Sequence, residues 1–151
     1  MYKIKAFNEL SLQELYEIGR LRQEVFVVEQ NCPYIDFDGR DDKCHHLMFW
    51  GDDKAELMAY ARLVPAGISY PEEPSIGRVI TSPKARGTGL GRKLMLAAIE
   101  ECNRIWGNVP IRISAQTYLL DFYSSLGFSS TGKEYLEDGI PHTEMLFSIT
   151  V

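Results

Sequence analysis

The sequence predicts a single-domain α/β fold in which the sheet is not purely parallel. Three observations support this prediction: the chain has 151 residues, strand-like and helix-like segments alternate along it, and its last two strand-like segments flank a tight turn. A chain of this length is the size of one domain and can bury a substantial core. Because a terminal hairpin pairs its strands antiparallel, we expect a sheet of mixed character.

The N-terminal half is predicted to contain a strand, a helix and a hairpin. Residues 2–7 alternate as a strand, and residues 11–14, SLQE, fit a capping box that starts the first helix. The end of that helix, residues 20–34, is apolar and β-branched, so a second short helix and an extended turn are both open there. Residues 45–50 and 55–64 are predicted as neighbouring strands joined by a turn at 51–54.

The C-terminal half is predicted to contain a strand–loop–helix unit, a further helix and a closing hairpin. Residues 75–98 form the strand, the glycine-rich loop and the start of an amphipathic helix. A short strand is expected at 111–113, followed by a helix over 119–126 that ends at Gly127. The final strands, 129–137 and 142–151, are joined by the turn Asp138-Gly139-Ile140-Pro141.

Composition narrows the functional classes. A net charge of −5 and a pI near 5.2 argue against a general nucleic-acid binder and allow a cationic partner. Three cysteines without a CxxC pair indicate reduced thiols, so we expect a cytoplasmic protein. Because the sequence has no N-terminal apolar h-region and no long apolar run, we expect neither a signal peptide nor a membrane span.

The loop within residues 75–98 has the features of an anion site. Gly87, Gly89 and Gly91 allow tight backbone turns, and Leu90 begins the helical spacing of apolar residues. The first N–H groups of a helix are unpaired and its dipole favours negative charge, so such a loop can bind phosphate. Arg86, Arg92 and Lys93 add positive charge in an otherwise acidic chain.

Two familiar phosphate loops do not fit this stretch. A P-loop counted from Gly87 would have Arg92 in place of its second glycine, and Leu94 in place of the hydroxyl residue after Lys93. A dinucleotide fingerprint counted from the same glycine also meets Arg92 where its third glycine should stand.

The pattern Arg86-x-x-Gly89-x-Gly91, after a strand and opening a helix, resembles the acetyl-CoA pyrophosphate loop of the GNAT superfamily of acetyltransferases. FYSSLGF, residues 122–128, is similar to the late helix of that superfamily, and the order of elements matches along nearly the whole chain. The segments LRQEVFVVEQNCPY, DGRD, AQTYLLDFYSSLGF and EDGIPH more narrowly resemble the ElaA-like subgroup.

The resemblance implies an acetyl-CoA-dependent N-acetyltransferase acting by direct transfer, with a mixed, mostly antiparallel sheet splayed at the acetyl-CoA-binding strand. The backbone of Val79, Ile80 and Thr81 would lie at the splayed strand and pair with the pantetheine arm. The pyrophosphate would be held by the amides of Arg86, Gly87, Thr88, Gly89, Leu90 and Gly91. Tyr123 matches the tyrosine that protonates the departing thiolate. Gln116 stands where many members have an asparagine that contacts the cofactor.

The sequence says less about the residues that would bind and deprotonate the acceptor. Residues 75–82 lack the glutamate that some members use as a general base, and His142 is the better candidate because a neutral imidazole can accept a proton near pH 7. Arg22 and Glu29, near the end of the first helix, are candidates for acceptor contact. The acceptor would be a small-molecule or peptide amine, and the sequence allows a homodimer. The alternatives are an acetyl-CoA sensor without turnover and an enzyme that transfers a longer acyl group.

No metal site is predicted. An EF-hand counted from Asp36 would have Arg40 at its fifth position and Leu47 at its twelfth, where oxygen ligands are needed. His45 and His46 are adjacent on a strand and point to opposite faces, which favours a structural or surface role. Cys102 repeats on the apolar side of its helix and is predicted to lie in the core.

Overall fold

Two antiparallel sheets form the framework in the computed structural model, which describes residues 2–53 and 55–148. The first has the order β1-β2-β3-β4, with β1 Tyr2–Ala6, β2 His45–Trp50, β3 Leu57–Val64 and β4 Ser75–Thr81. The second has the order β5-β7-β6, with β5 Ile111–Gln116, β6 Phe128–Glu137 and β7 Ile140–Phe147. Residue 54 of the predicted turn and residues 149–151 of the predicted last strand lie outside the described residues.

The sheets separate between β4 and β5. The N–H of Arg112 in β5 donates to the carbonyl oxygen of Pro74, just before β4, at 3.0 Å. Within the described residues, β4 and β5 are not otherwise paired by backbone hydrogen bonds. The splayed strand predicted from the sequence is therefore β4, and its edge towards β5 is open.

The first helix begins and continues as its sequence dictates. In α1, Leu12–Arg22, the Ser11 hydroxyl accepts from the N–H of Glu14, and the Glu14 carboxylate accepts from the N–H of Ser11. This confirms the predicted capping box. The chain continues as a π-helical segment, Gln23–Glu29, in which the N–H of Gln30 donates to the carbonyl of Val25 at 3.2 Å. Of the two open alternatives, the helical one is correct.

The second helix, α2, Leu90–Trp106, packs on the first sheet through its predicted apolar side. Leu94, Met95, Ala98 and Cys102 are buried in a core shared with β3 and β5. Burial raises the pKa of the Cys102 thiol to about 12, as expected for a core residue rather than a nucleophile. The third helix, α3, Leu120–Ser125, is followed by the turn at Gly127.

His46 has the structural role that the sequence indicated. It is buried, and its Nε2 lies 2.9 Å from the carbonyl oxygen of Asp41, which can only accept a hydrogen bond. Its Nδ1 therefore accepts from the Tyr60 hydroxyl, at 2.6 Å. No group of side chains suited to hold a metal ion occurs among residues 2–53 and 55–148. No helix in that part of the chain is long and apolar enough to cross a membrane.

Candidate active site

The open strand β4 contains a bulge. Tyr60 of β3 pairs with Ile80, but Arg62 pairs with Gly77, so one residue of β3 faces two of β4. The additional residue is accommodated at Arg78, which has a φ of +50°. The bulge comprises Arg78 and Val79, so it overlaps the stretch Val79 to Thr81 that was expected at the splayed strand; Ile80 and Thr81 are already back in register with β3.

The glycine loop leads directly into the N-terminus of α2. Gly87 and Gly89 have φ values of +81° and +82°, which residues with a Cβ rarely adopt, and Gly89 caps the helix. A Cβ placed on either glycine would meet no atom within 4 Å, so both face open space. Between Gly87 and Gly91, no N–H has a hydrogen-bond acceptor in the part of the chain that the structure describes. These N–H groups are suited to bind an anion.

A cavity of about 700 Å³ lies between the open edge of β4 and the second sheet. It brings together most of the predicted site residues, although they are distant in sequence. Those that line it are Glu29, Val79, Ile80, Thr81, Arg86, Gly91, Gln116, Tyr123 and His142. The remaining loop residues, Gly87, Thr88, Gly89 and Leu90, are consecutive between lining residues Arg86 and Gly91.

Tyr123 lies on α3 with its ring packed edge-on against Phe122 and Phe128. Its side chain is largely buried but reaches the cavity. Burial raises the pKa of Tyr123 to about 12, since the phenolate would lose its hydration. The hydroxyl therefore carries its proton at neutral pH.

His142 lies on β7, where it pairs with Gln116 of β5. Its Nδ1 is 2.8 Å from the carbonyl oxygen of Ile140, so in the neutral ring Nδ1 carries the proton and Nε2 has a free lone pair. Nε2 also lies 3.4 Å from the carboxylate of Glu137. The ring stacks on Tyr135, with centroids 6.1 Å apart.

Arg22 is not available to an acceptor, and the prediction that it contacts one is wrong. Its side chain is completely buried and does not line the cavity. Nε and Nη1 contact the carboxylates of Asp36 and Asp41 at 2.5 Å and 2.6 Å, and Nη2 donates to the Asp36 carbonyl at 2.9 Å. Arg22 therefore holds the acidic loop, residues 36–43, against the end of α1.

That acidic loop brings further residues to the cavity that sequence reasoning missed. Asp38 forms two hydrogen bonds with Arg62, at 2.8 Å and 2.9 Å, and both residues line the cavity. Burial alone would raise the pKa of Asp38, but the bonds and charge of Arg62 hold it well below its usual range. The available signal was the four acids of the DFDGRDD stretch and an arginine within the apolar strand β3. Their pairing depends on distant contacts that the sequence pattern does not show.

Comparison with known proteins identifies the family. The family profile described as "Acetyltransferase (GNAT) domain" matches residues 36–149. The chain is 44% identical over 140 residues to protein ElaA of Escherichia coli, covering 91% of this chain and 90% of ElaA. The crystal structure of E. coli ElaA superposes with a TM-score of 0.90, covering 98% of this chain and 99% of that one at 40% identity. The chain therefore belongs to the GNAT acetyltransferase family.

Within that family, ElaA is a close relative, which confirms the predicted subgroup and fold class. An acyl-CoA N-acyltransferase from Pseudomonas aeruginosa superposes with a TM-score of 0.89 at 42% identity, covering 98% of this chain and 99% of that one. An aminoglycoside 6'-N-acetyltransferase complexed with coenzyme A has a TM-score of 0.69 at 14% identity, covering 95% of each chain. This last likeness shows the fold alone.

Proposed function

We propose that this protein transfers the acetyl group of acetyl-CoA to a primary amine. The observation that carries the proposal is the shared cavity, which is lined by both ends of the glycine loop, by the protonated Tyr123 and by His142. Family membership supports an acyltransferase in general. The acetyl donor and the amine acceptor are the more specific part of the proposal.

The donor would extend from the loop along the open edge of β4. The amides between Arg86 and Gly91 would hold the pyrophosphate, by the anion chemistry of a helix N-terminus. The free backbone groups of Val79 to Thr81 would pair with the pantetheine amides as an added strand does. Gln116, at the end of β5, faces the same cavity and could donate a hydrogen bond to the arm.

The transfer needs a base, an oxyanion donor and an acid. His142 Nε2 would take the proton that the amine loses as its nitrogen forms a bond to the thioester carbon. A backbone N–H of β4 would stabilise the developing oxyanion. Tyr123 would give its proton to the sulfur as the carbon–sulfur bond breaks, leaving free CoA and an amide. Atoms and protons balance once His142 has released its proton to solvent and Tyr123 has taken one up.

The acceptor would be a small-molecule or peptide amine that enters opposite the donor, with Glu29 as a contact for its positive charge. No metal takes part in the proposed chemistry. Cytoplasmic localisation and the absence of nucleic-acid and membrane partners remain predictions from composition. A homodimer also remains a prediction.

The proposal is tested by incubating the protein with acetyl-CoA and a panel of polyamines, amino sugars, amino acids and lysine peptides, and measuring thiol release. We expect release with at least one acceptor, and His142→Gln should lower kcat roughly a hundredfold because the proton acceptor is lost. Glu24→Gln, on the exposed π-helical segment, is the control and should leave kcat unchanged. Tight acetyl-CoA binding without release from any acceptor would instead favour a sensor module.

A further inference from the structure

An ion pair connects the donor and acceptor sides of the cavity. Glu29 is the last residue of the π-helical segment, and Arg86 is the first residue of the glycine loop. The Oε1 atom of Glu29 lies 2.7 Å from Nη2 of Arg86, and both residues line the cavity. The two predicted binding residues, one for each substrate, are therefore partners of each other.

This ion pair is easily exchanged. The side chains are 45% and 41% exposed, and a single nitrogen–oxygen contact joins them. Exposed pairs of this kind are weak, because water screens the charges and both side chains lose freedom. A phosphate offers a guanidinium two parallel hydrogen bonds and a higher charge, so it competes well for the same arginine.

Two other arginines that line the cavity, Arg62 and Arg78, are already paired with carboxylates. Arg62 is held by Asp38 and Asp41, and Arg78 contacts the carboxylate of Asp36 at 2.7 Å. Each of these contacts involves an arginine at most one quarter exposed, so they resist exchange more than the Glu29 pair does. Arg86, which belongs to the glycine loop itself, is therefore freer than Arg62 or Arg78 to move to a donor phosphate.

We propose that the pyrophosphate of the donor displaces Glu29 from Arg86 and so uncovers a carboxylate for a cationic acceptor. The inference rests on the proposed function, since it takes the glycine loop as the pyrophosphate site. No second basic partner of Glu29 occurs in the described part of the chain. Once released, its carboxylate faces the cavity without a counter-charge, and a protonated amine would supply one.

This exchange makes the two substrates cooperate. Before the donor binds, Glu29 is neutralised by Arg86 and attracts a cation weakly. After the donor binds, the same carboxylate is free. Because coupling between two ligands is reciprocal at equilibrium, a cationic acceptor should also strengthen donor binding. The affinity for a cationic acceptor is thus higher when the donor is bound than when it is absent.

The test is a double-mutant cycle in which CoA binding is measured by calorimetry. Glu29→Gln removes the competitor of the phosphate, so CoA should bind roughly two- to fivefold more tightly, the range expected for an exposed ion pair. In the Arg86→Gln background, the Glu29→Gln substitution should change the affinity by less than this, because the pair is already absent. Glu24→Gln, which removes a carboxylate of similar exposure on the same segment, is the matched control.

The outcomes separate this inference from the proposed function. Unchanged or weaker CoA binding by Glu29→Gln would overturn the exchange, because Glu29 would then not compete for Arg86. If Glu29→Gln strengthened CoA binding equally in the Arg86→Gln background, the exchange would also be overturned. The gain would then come from simple charge repulsion between Glu29 and the phosphates. If the wild-type protein bound no CoA, the proposed function itself would fail. A liganded structure in which Glu29 and Arg86 remain 2.7 Å apart would overturn the exchange alone.

Discussion

The phenol of Tyr123 is protonated because of where it lies, not because of a hydrogen-bond partner. Two aromatic rings pack around it, and its pKa is raised to about 12 by burial. The neutral phenol is the form that can donate a proton. A raised pKa extends this form to higher pH, so ionisation of Tyr123 should not limit activity below about pH 11.

Replacing Tyr123 by phenylalanine should remove the proton donor while preserving the packing. We expect kcat to fall by about a hundredfold, the lower end of the range for general acid catalysis, with the Kd for CoA changed less than twofold. Steady-state kinetics and calorimetry on the same preparations check this. Tyr16→Phe, on the exposed side of α1, is the control. An equal loss of affinity and turnover would mean that Tyr123 only positions the donor.

Individual residues were predictable where a local motif specifies them. Gly89 requires a positive φ, and Cys102 follows helical spacing into the core, and both were identified. The burial of Arg22 was not predictable, because an arginine near the end of a helix can be exposed or buried with the same local sequence. Its burial depends on Asp36 and Asp41, which lie 14 and 19 residues further along the chain.

At the scale of elements, the strand–loop–helix unit from β4 to α2 makes the donor site. The bulge interrupts the register of β4 beside its open edge, and the loop with two left-handed glycines leaves its N–H groups without acceptors in the described part of the chain. Each depends on backbone conformation rather than on a particular side chain. Substitutions in the loop should therefore affect binding through the backbone as well as through charge.

Gly89→Asp should weaken CoA binding by at least tenfold. The φ of +82° is strained for aspartate, and its carboxylate would enter the space in which a phosphate would lie. Calorimetry with CoA gives the affinity. Gly132→Asp is a matched control, because Gly132 has a φ of +91° but lies in β6 away from the cavity lining. Unchanged affinity in Gly89→Asp would rule out the loop as the pyrophosphate site.

Elements with a strong local signal were predicted well. The capping box placed the start of α1, and the apolar repeat placed α2. The bulge begins at Arg78, one residue before the stretch expected at the splayed strand, because its exact position depends on the register between β3 and β4. The π-helical segment, residues 23–29, remained open, because its apolar, β-branched sequence fits either a helix or an extended turn.

On the scale of the whole molecule, a network of arginines and aspartates ties the acidic loop to three elements. Arg22 comes from the end of α1, Arg62 from β3 and Arg78 from the bulge of β4. The loop aspartates Asp36 and Asp41 each contact two of these arginines. The wall of the cavity is therefore fixed to the core of the first sheet.

Arg22→Met should lower the free energy of unfolding by about 3 kcal/mol, because removing one partner of a buried ion pair leaves an incompletely compensated carboxylate. Urea denaturation measures this change. Arg20→Met, two residues earlier on α1, removes an exposed arginine and should cost less than about 1 kcal/mol. If both variants lost the same stability, the network would not be the cause. The Kd for CoA should remain close to that of the wild type.

The three thiols differ in a way that affects how catalysis can be measured. Cys44 and Cys102 are buried, and burial raises the pKa of these thiols to about 11 and about 12. In the folded protein they should react with a disulfide reagent far more slowly than free CoA does. Cys32 is half-buried, so the background is at most one equivalent per chain. The colour that forms when released CoA reacts with the disulfide reagent can therefore be followed continuously, without a separate coupling enzyme.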